Sequence, residues 1–186
     1  MSDETRLNST VTVAQYRKMV KDRDKIGIAD LIETRFSERY LEPFHNNSAK
    51  HGFSMMAITC LMIETLESFR LGWPNSKGKS SQAFRSFFEQ SKHFGELKDY
   101  HGEFYKHIRC GLLHQAETTG GWKINRKEQV LFNQKTKTIN AKKFMDNVEK
   151  ELKEYVKLLK EKDWDSECWE LTRKKIDHIC EQCELS

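Results

Sequence analysis

The sequence predicts a mainly α-helical bundle with a small β-hairpin inserted before its penultimate long helix. Three observations carry that prediction. Only two prolines and nine glycines interrupt 186 residues, too few chain breakers for a many-turned β sandwich. Apolar residues recur at helical spacing over most of the length. The period changes to alternation in one stretch only, around Trp122 to Phe132. A chain of this length corresponds to about one domain, so residues 1–12 read as a loose, flexible tail and residues 13–186 as one helical domain.

Each element follows from its own pattern. From Ile28 the positions Leu31, Ile32, Phe36 and Tyr40 trace an amphipathic helix, and Pro43 closes the segment. Asn47 or Ser48 can cap the next helix. In it Phe53, Ala57, Cys60 and Leu61 make one stripe and Met55, Ile58, Met62, Leu66 and Phe69 another. A helix apolar on two faces belongs in the centre. Gly72 to Ser81 reads as a loop, followed by a short helix with Ala83, Phe84, Phe87 and Phe88. A further helix starts near Tyr100, carries Phe104, Ile108 and Leu112, and runs out at Thr118 to Gly121. Trp122 with Ile124, and Val130 with Phe132, are the two arms of the hairpin. A long helix resumes at Ala141 through Leu159, and a last one spans roughly Ser166 to Cys183.

Composition removes several function classes. The longest apolar run, Met55 to Ile63, is well short of a membrane span of about 20 residues. The polar start MSDETRLNST has no apolar h-region, so the chain reads as cytoplasmic. Five scattered cysteines, an odd number, fit reduced thiols better than a disulfide framework. No Walker loop, dinucleotide fingerprint, Gly-x-Ser-x-Gly elbow or His-Glu-x-x-His helix is present.

The segment Phe104 to Glu117, FYKHIRCGLLHQAE, holds the candidate chemistry. Arg109 offers a permanent planar charge that matches phosphate, and His114 can take and give protons near neutral pH. Such a pair suits RNA cleavage, because the 2′-hydroxyl is an internal nucleophile and no metal or other cofactor is required. His114 would move the proton and Arg109 would stabilise charge on the pentacoordinate phosphate. Five residues of α-helix amount to roughly 140° of net rotation, so the two do not share a face of a straight helix. Either the helix loosens at Gly111, or a second copy of the chain completes the site.

Arg109 to His114 matches Arg-x4-His, and this motif late in a helix of a compact bundle resembles the HEPN superfamily of ribonucleases and RNA-binding domains. The resemblance covers about Ile28 to Leu159, its specific part being six residues. It implies a HEPN-like domain over residues 13–186 and a homodimer whose motif helices face each other across one cleft. It also implies a metal-independent endoribonuclease that leaves a 2′,3′-cyclic phosphate, with Arg109 and His114 catalytic. Such proteins often work in toxin–antitoxin or antiphage defence systems, with an antitoxin or nucleotidyltransferase as partner. The family pattern often has Asn, Asp or His after the arginine, where this chain has Cys110. A non-catalytic dimeric module binding RNA or a partner protein is the alternative that Cys110 favours.

Charge is unevenly spread. The net charge is only +4, yet residues 118–143 hold seven Lys or Arg against Glu128 alone, while the stretch from Asp163 is acidic. Lys123, Arg126 and Lys127 are therefore candidate phosphate contacts for RNA, with Trp122 available to stack on a base. A solvated strand edge protected by lysine is the competing explanation. Glu64 and Glu67, late in the central helix, are read as reaching solvent or pairing with a cation such as Arg70 or Arg109, with a role in orienting Arg109 as the lesser reading. A metal is a lesser possibility at His107, Cys110 and His114 or at Cys180 and Cys183 beside His178, and neither set has full ligand spacing.

Overall fold

The structure, a computed structural model, describes residues 5–47, 49 and 51–185. It is mainly helical with one small sheet, as the periodicities predict. Contacts within the chain divide it into two compact units. The first comprises residues 1–43, 68–75 and 152–186, and the second residues 44–67 and 76–151.

The first unit holds α1 (Val13–Lys21), α2 (Lys25–Phe36), the end of α8 (Ala141–Glu161) and α9 (Glu167–Leu185). Helix α1 starts at a capping box, in which the Thr12 side chain accepts from Gln15 N and the Gln15 side chain accepts from Thr12 N. The segment expected to be a loose tail is folded over its described part. Asn8 Oδ1 accepts from Thr10 N at 2.9 Å and Val11 N at 2.7 Å, and Leu7 is buried. A tight turn that satisfies its own backbone and buries a leucine is part of the core, whatever its polar composition. Residues 1–4 of that tail lie outside the described residues.

Pro43 does not close the second segment. The helix passes through a π-helical turn, Ser37–Leu41, into α3 (Glu42–His45), with Pro43 near the start of α3. Proline lacks the N–H that a continuing α-helix needs and crowds the carbonyl four residues back, and a wider turn before it relieves both demands. Trp169 is fully buried and donates through Nε1 to Leu159 O at 2.9 Å. Tyr155 and Thr172 hydroxyls meet at 2.6 Å, so α8 and α9 are joined by polar as well as apolar contacts.

The second unit is built on α4 (Gly52–Arg70, whose last residues belong to the first unit), α5 (Ser80–Gln90), the motif helix, the sheet and the first half of α8. Helix α4 begins at Gly52, not directly after Asn47, whose side chain instead accepts from Ala49 N. Ser48 lies outside the described residues. Met55, Met56, Cys60, Met62, Ile63 and Leu66 are buried, but Phe53 and Leu61 are 40% and 44% exposed, so α4 is not covered on all sides as its two stripes predict. By length and mean hydropathy α4 is apolar enough to cross a bilayer, but most of it is buried inside the protein. The phenylalanines form the core, as expected: Phe88, Phe94, Phe104 and Phe144 pack ring against ring, with Phe104 stacked on Phe144 at 5.2 Å.

The sheet differs from the expected hairpin. Its strands are β1 (Lys123–Asn125), β2 (Phe132–Asn133) and β3 (Thr138–Asn140) in the order β1-β3-β2. The hairpin is β2 with β3, antiparallel, and β1 joins β3 in parallel. The Trp122 and Phe132 arms therefore flank a shared central strand instead of pairing with each other. Asn140 ends β3 and its Oδ1 accepts from Lys142 N and Lys143 N at 3.0 and 3.1 Å, which starts α8.

Candidate active site

The motif helix runs as α6 (His101–Phe104), a π-helical turn over Tyr105–Arg109, and α7 (Cys110–Gln115). The widening thus falls at Tyr105–Arg109, one turn before the Gly111 expected to supply it. Gly111 is helical and buried, and its absent side chain serves another purpose. A Cβ there would lie 2.4 Å from the Glu117 carbonyl oxygen, which packs on it after the helix ends at Ala116 in the left-handed conformation. Glycine lets the chain fold back immediately after His114.

Arg109 is the last residue of the π turn and reaches α4. Its Nε donates to Glu64 Oε1 at 2.8 Å, with side-chain exposures of 15% and 7%. The other carboxylate oxygen, Oε2, accepts from Ser80 Oγ at 2.7 Å, so Glu64 is held from two sides. Of the roles read for Glu64, pairing with a cation is observed, and the cation is Arg109. Partial burial works against the guanidinium charge, but the hydrogen bond and charge of Glu64 outweigh it and raise the Arg109 pKa above the ordinary arginine value. The Arg109 guanidinium also lies 5.7 Å from the Tyr105 ring centroid.

Two thiols border this pair. Cys60, on α4 one turn before Glu64, is buried, and burial followed by the neighbouring Glu64 charge pushes its pKa up. Burial and a hydrogen bond with Cys110 raise the Tyr105 hydroxyl. Cys110, the residue that departs from the usual motif, thus joins the polar group around Arg109 instead of packing in the core.

His114 lies exposed in the last turn of α7, and among the described residues no side chain pairs with it. Cys110–Gln115 is α-helical directly after Arg109, so the offset of roughly 140° between Arg109 and His114 stands. Within one chain the guanidinium turns to α4 and the imidazole to solvent. The helix therefore presents the two groups to different surroundings.

The basic segment is divided in the same way. Lys123 and Lys127 are exposed, and Arg126 is half-buried with Nη1 donating to Ala49 O at 3.1 Å. Trp122 does not act as an open stacking platform. It is only 3% exposed, lies parallel to Phe132 at 5.0 Å, and meets Phe104 and Tyr100 edge to face. The alternation that marks it as a strand residue also points it inward, where Phe132 occupies the face a base would need.

His107, named in one of the metal sets, is committed to the loop after the motif helix. Its Nδ1 lies 2.8 Å from Thr119 Oγ1, and Thr119 N donates to His107 O at 3.0 Å. Gly120, at φ +59°, leaves space for that ring, since a Cβ there would come within 2.5 Å of it. Among the described residues, no group of three or more His, Cys, Asp or Glu side chains is placed to hold a metal. No family model, curated protein or solved structure matches the chain.

Sequence reasoning foresaw the Glu64 partnership as one option among several. It missed Ser80, which lies in a loop-like serine-rich stretch, and Tyr105, whose approach to Arg109 depends on the π turn. A signal was present for Tyr105 only in its spacing, four residues before the arginine on the same helix.

Proposed function

We propose that this protein is a HEPN-type, metal-independent endoribonuclease whose cleft forms between two copies of the chain. The observation that carries the reading is the placement of Arg109: a motif arginine at a π turn, fixed through Nε by a carboxylate that is itself held by Ser80. A guanidinium fixed at one edge keeps a defined direction for the charge it offers a phosphate, which is the pre-organisation that transition-state stabilisation needs. His114, exposed five residues on, supplies the proton transfer. The 2′-oxygen attacks phosphorus while its proton passes to an imidazole. The P–O5′ bond breaks, O5′ takes a proton, and the products are a 2′,3′-cyclic phosphate and a 5′-hydroxyl.

A second chain resolves the angular offset between the two groups. The exposed Phe53 and Leu61 of α4 and Leu113 of the motif helix, the last 55% exposed, give that chain apolar surface to cover. Lys123, Lys127 and Arg126 provide positive charge for the RNA backbone.

Two observations favour a second reading, a non-catalytic dimeric module that binds RNA or a partner protein. Arg109 is already engaged by Glu64, and Cys110 occupies the position after it where the family pattern often has a polar residue. The two readings separate when purified protein is incubated with end-labelled RNA in chelator. Cutting that resists chelator, leaves cyclic phosphate ends and is lost in both Arg109→Ala and His114→Ala marks the enzyme. Intact RNA with a salt-sensitive mobility shift marks the binder.

A further inference from the structure

The second unit contains a basic cavity that shares only Arg126 with the ribonuclease reading. Its volume is about 280 Å³, and His45, Asn47, His51, Arg126 and Lys142 line it. These residues come from α3, the segment leading into α4, the loop after β1, and the first turn of α8. Four side chains able to carry positive charge are brought from separate stretches of sequence to one small cavity, and the two without a carboxylate partner among the described residues leave a positive charge there that an anion can match.

The carboxylates beside the cavity leave that charge only partly matched. Glu149 pairs with His45 at 3.1 Å and Asp146 pairs with Lys142, one helical turn along α8. Arg126 and His51 pair with no carboxylate among the described residues, and Arg126 is steadied by the Ala49 carbonyl. His51 directly precedes α4, whose first turn holds no acidic residue.

We infer that this cavity is a binding site for a phosphate monoester. A guanidinium, an ammonium and two imidazoles drawn from four separate segments supply more donors than a planar carboxylate can accept, which suits a tetrahedral dianion. The volume lies just below the usual range for ligand pockets, about 300–1,000 Å³, enough for a phosphate with its sugar and too small to enclose a polynucleotide. The phosphate is carried either by a free mononucleotide or by the 5′ end of an RNA strand.

Calorimetry on the full chain tests this with AMP against adenosine, and with a short oligoribonucleotide bearing a 5′-phosphate against its 5′-hydroxyl twin. AMP binds and adenosine does not. Arg126→Gln and Lys142→Gln each weaken AMP binding about tenfold or more. Arg109→Ala leaves it unchanged, so loss of RNA cutting and loss of this site read out separately. Binding of the 5′-phosphorylated strand without AMP binding assigns the site to strand ends and still requires the phosphate. AMP bound no better than adenosine together with a 5′-phosphorylated strand bound no better than its 5′-hydroxyl twin, or AMP affinity that neither Arg126→Gln nor Lys142→Gln alters, overturns the assignment.

Discussion

Replacing Glu64 by alanine tests how the motif arginine is held. The Nε to Oε1 distance of 2.8 Å corresponds to a Coulomb attraction of about 6 kcal/mol at an effective dielectric constant of about 20. Desolvation of two side chains only 15% and 7% exposed offsets most of that gain. Removing one partner is a different matter, because it leaves the other charge buried without compensation. Breaking a buried pair costs about 3–5 kcal/mol, and the remaining solvent access of Arg109 places this case near the lower end, about 3 kcal/mol. For a chain of this size that loss lowers Tm by about 6–12 °C. Glu64→Gln keeps an acceptor for Arg109 Nε and loses only the charge, so it costs about half as much. Urea unfolding of Glu64→Ala, Arg109→Met and the double variant gives the coupling directly. A coupling of about 1.5–3 kcal/mol is expected, and a value within about 0.5 kcal/mol of zero refutes the pair as the element that fixes Arg109.

Three further outcomes follow from the same geometry. Gly111→Ala forces the Glu117 carbonyl away from a Cβ that would sit 2.4 Å from it, costing about 1–3 kcal/mol in chemical denaturation; unchanged stability would show that the chain does not fold back as described. Tyr16 is buried and donates to Asp177 at 2.9 Å, and burial, then the Asp177 charge, raise its pKa well above the ordinary value of about 10. The unfolded chain therefore loses this proton first, so the stability it contributes is intact below about pH 10 and is lost as pH rises further, and Tyr16→Phe flattens that alkaline limb in thermal melts. The double variant Leu61→Glu, Leu113→Glu, at side chains 44% and 55% exposed, halves the particle mass in light scattering with little change in Tm if these residues face a second copy.

The sequence makes the helices legible where one periodic signal dominates. Helix α8 begins at Ala141, where alternation gives way to the helical period, and the phenylalanines around Phe88 are core because their spacing places them on one face. The π turns at Ser37–Leu41 and Tyr105–Arg109 leave no such trace, since an extra residue in a turn is decided by what packs against it. Pro43 misleads for this reason, as a breaker is informative only when the backbone before it is α-helical. The sheet order is equally hidden: alternation marks Trp122 and Phe132 as strand-like but says nothing of β3 lying between their strands. Helix α1 carries its own signal in Thr12 and Gln15, three residues apart at a helix start, which the apolar periodicity alone does not pick out. At the site, residue chemistry singles out Arg109 and His114, while the partner of Arg109 comes from α4, 45 residues away, which no local pattern can select.

The central claim is that the arginine of one chain works with the histidine of the other, and mixing two inactive proteins tests it most directly. Arg109→Ala and His114→Ala, each unable to cut RNA alone, are combined, allowed to exchange subunits, and incubated with labelled RNA in chelator. A mixed dimer retains one intact guanidinium and one intact imidazole on opposite chains, so cleavage with 2′,3′-cyclic phosphate ends returns at about a quarter of the unmutated rate when half the dimers are mixed and each keeps one of the two arginine–histidine pairs that face the shared cleft. An unmutated protein that cuts while the exchanged mixture stays inactive contradicts the shared cleft, and RNA left intact by the unmutated protein contradicts the enzyme.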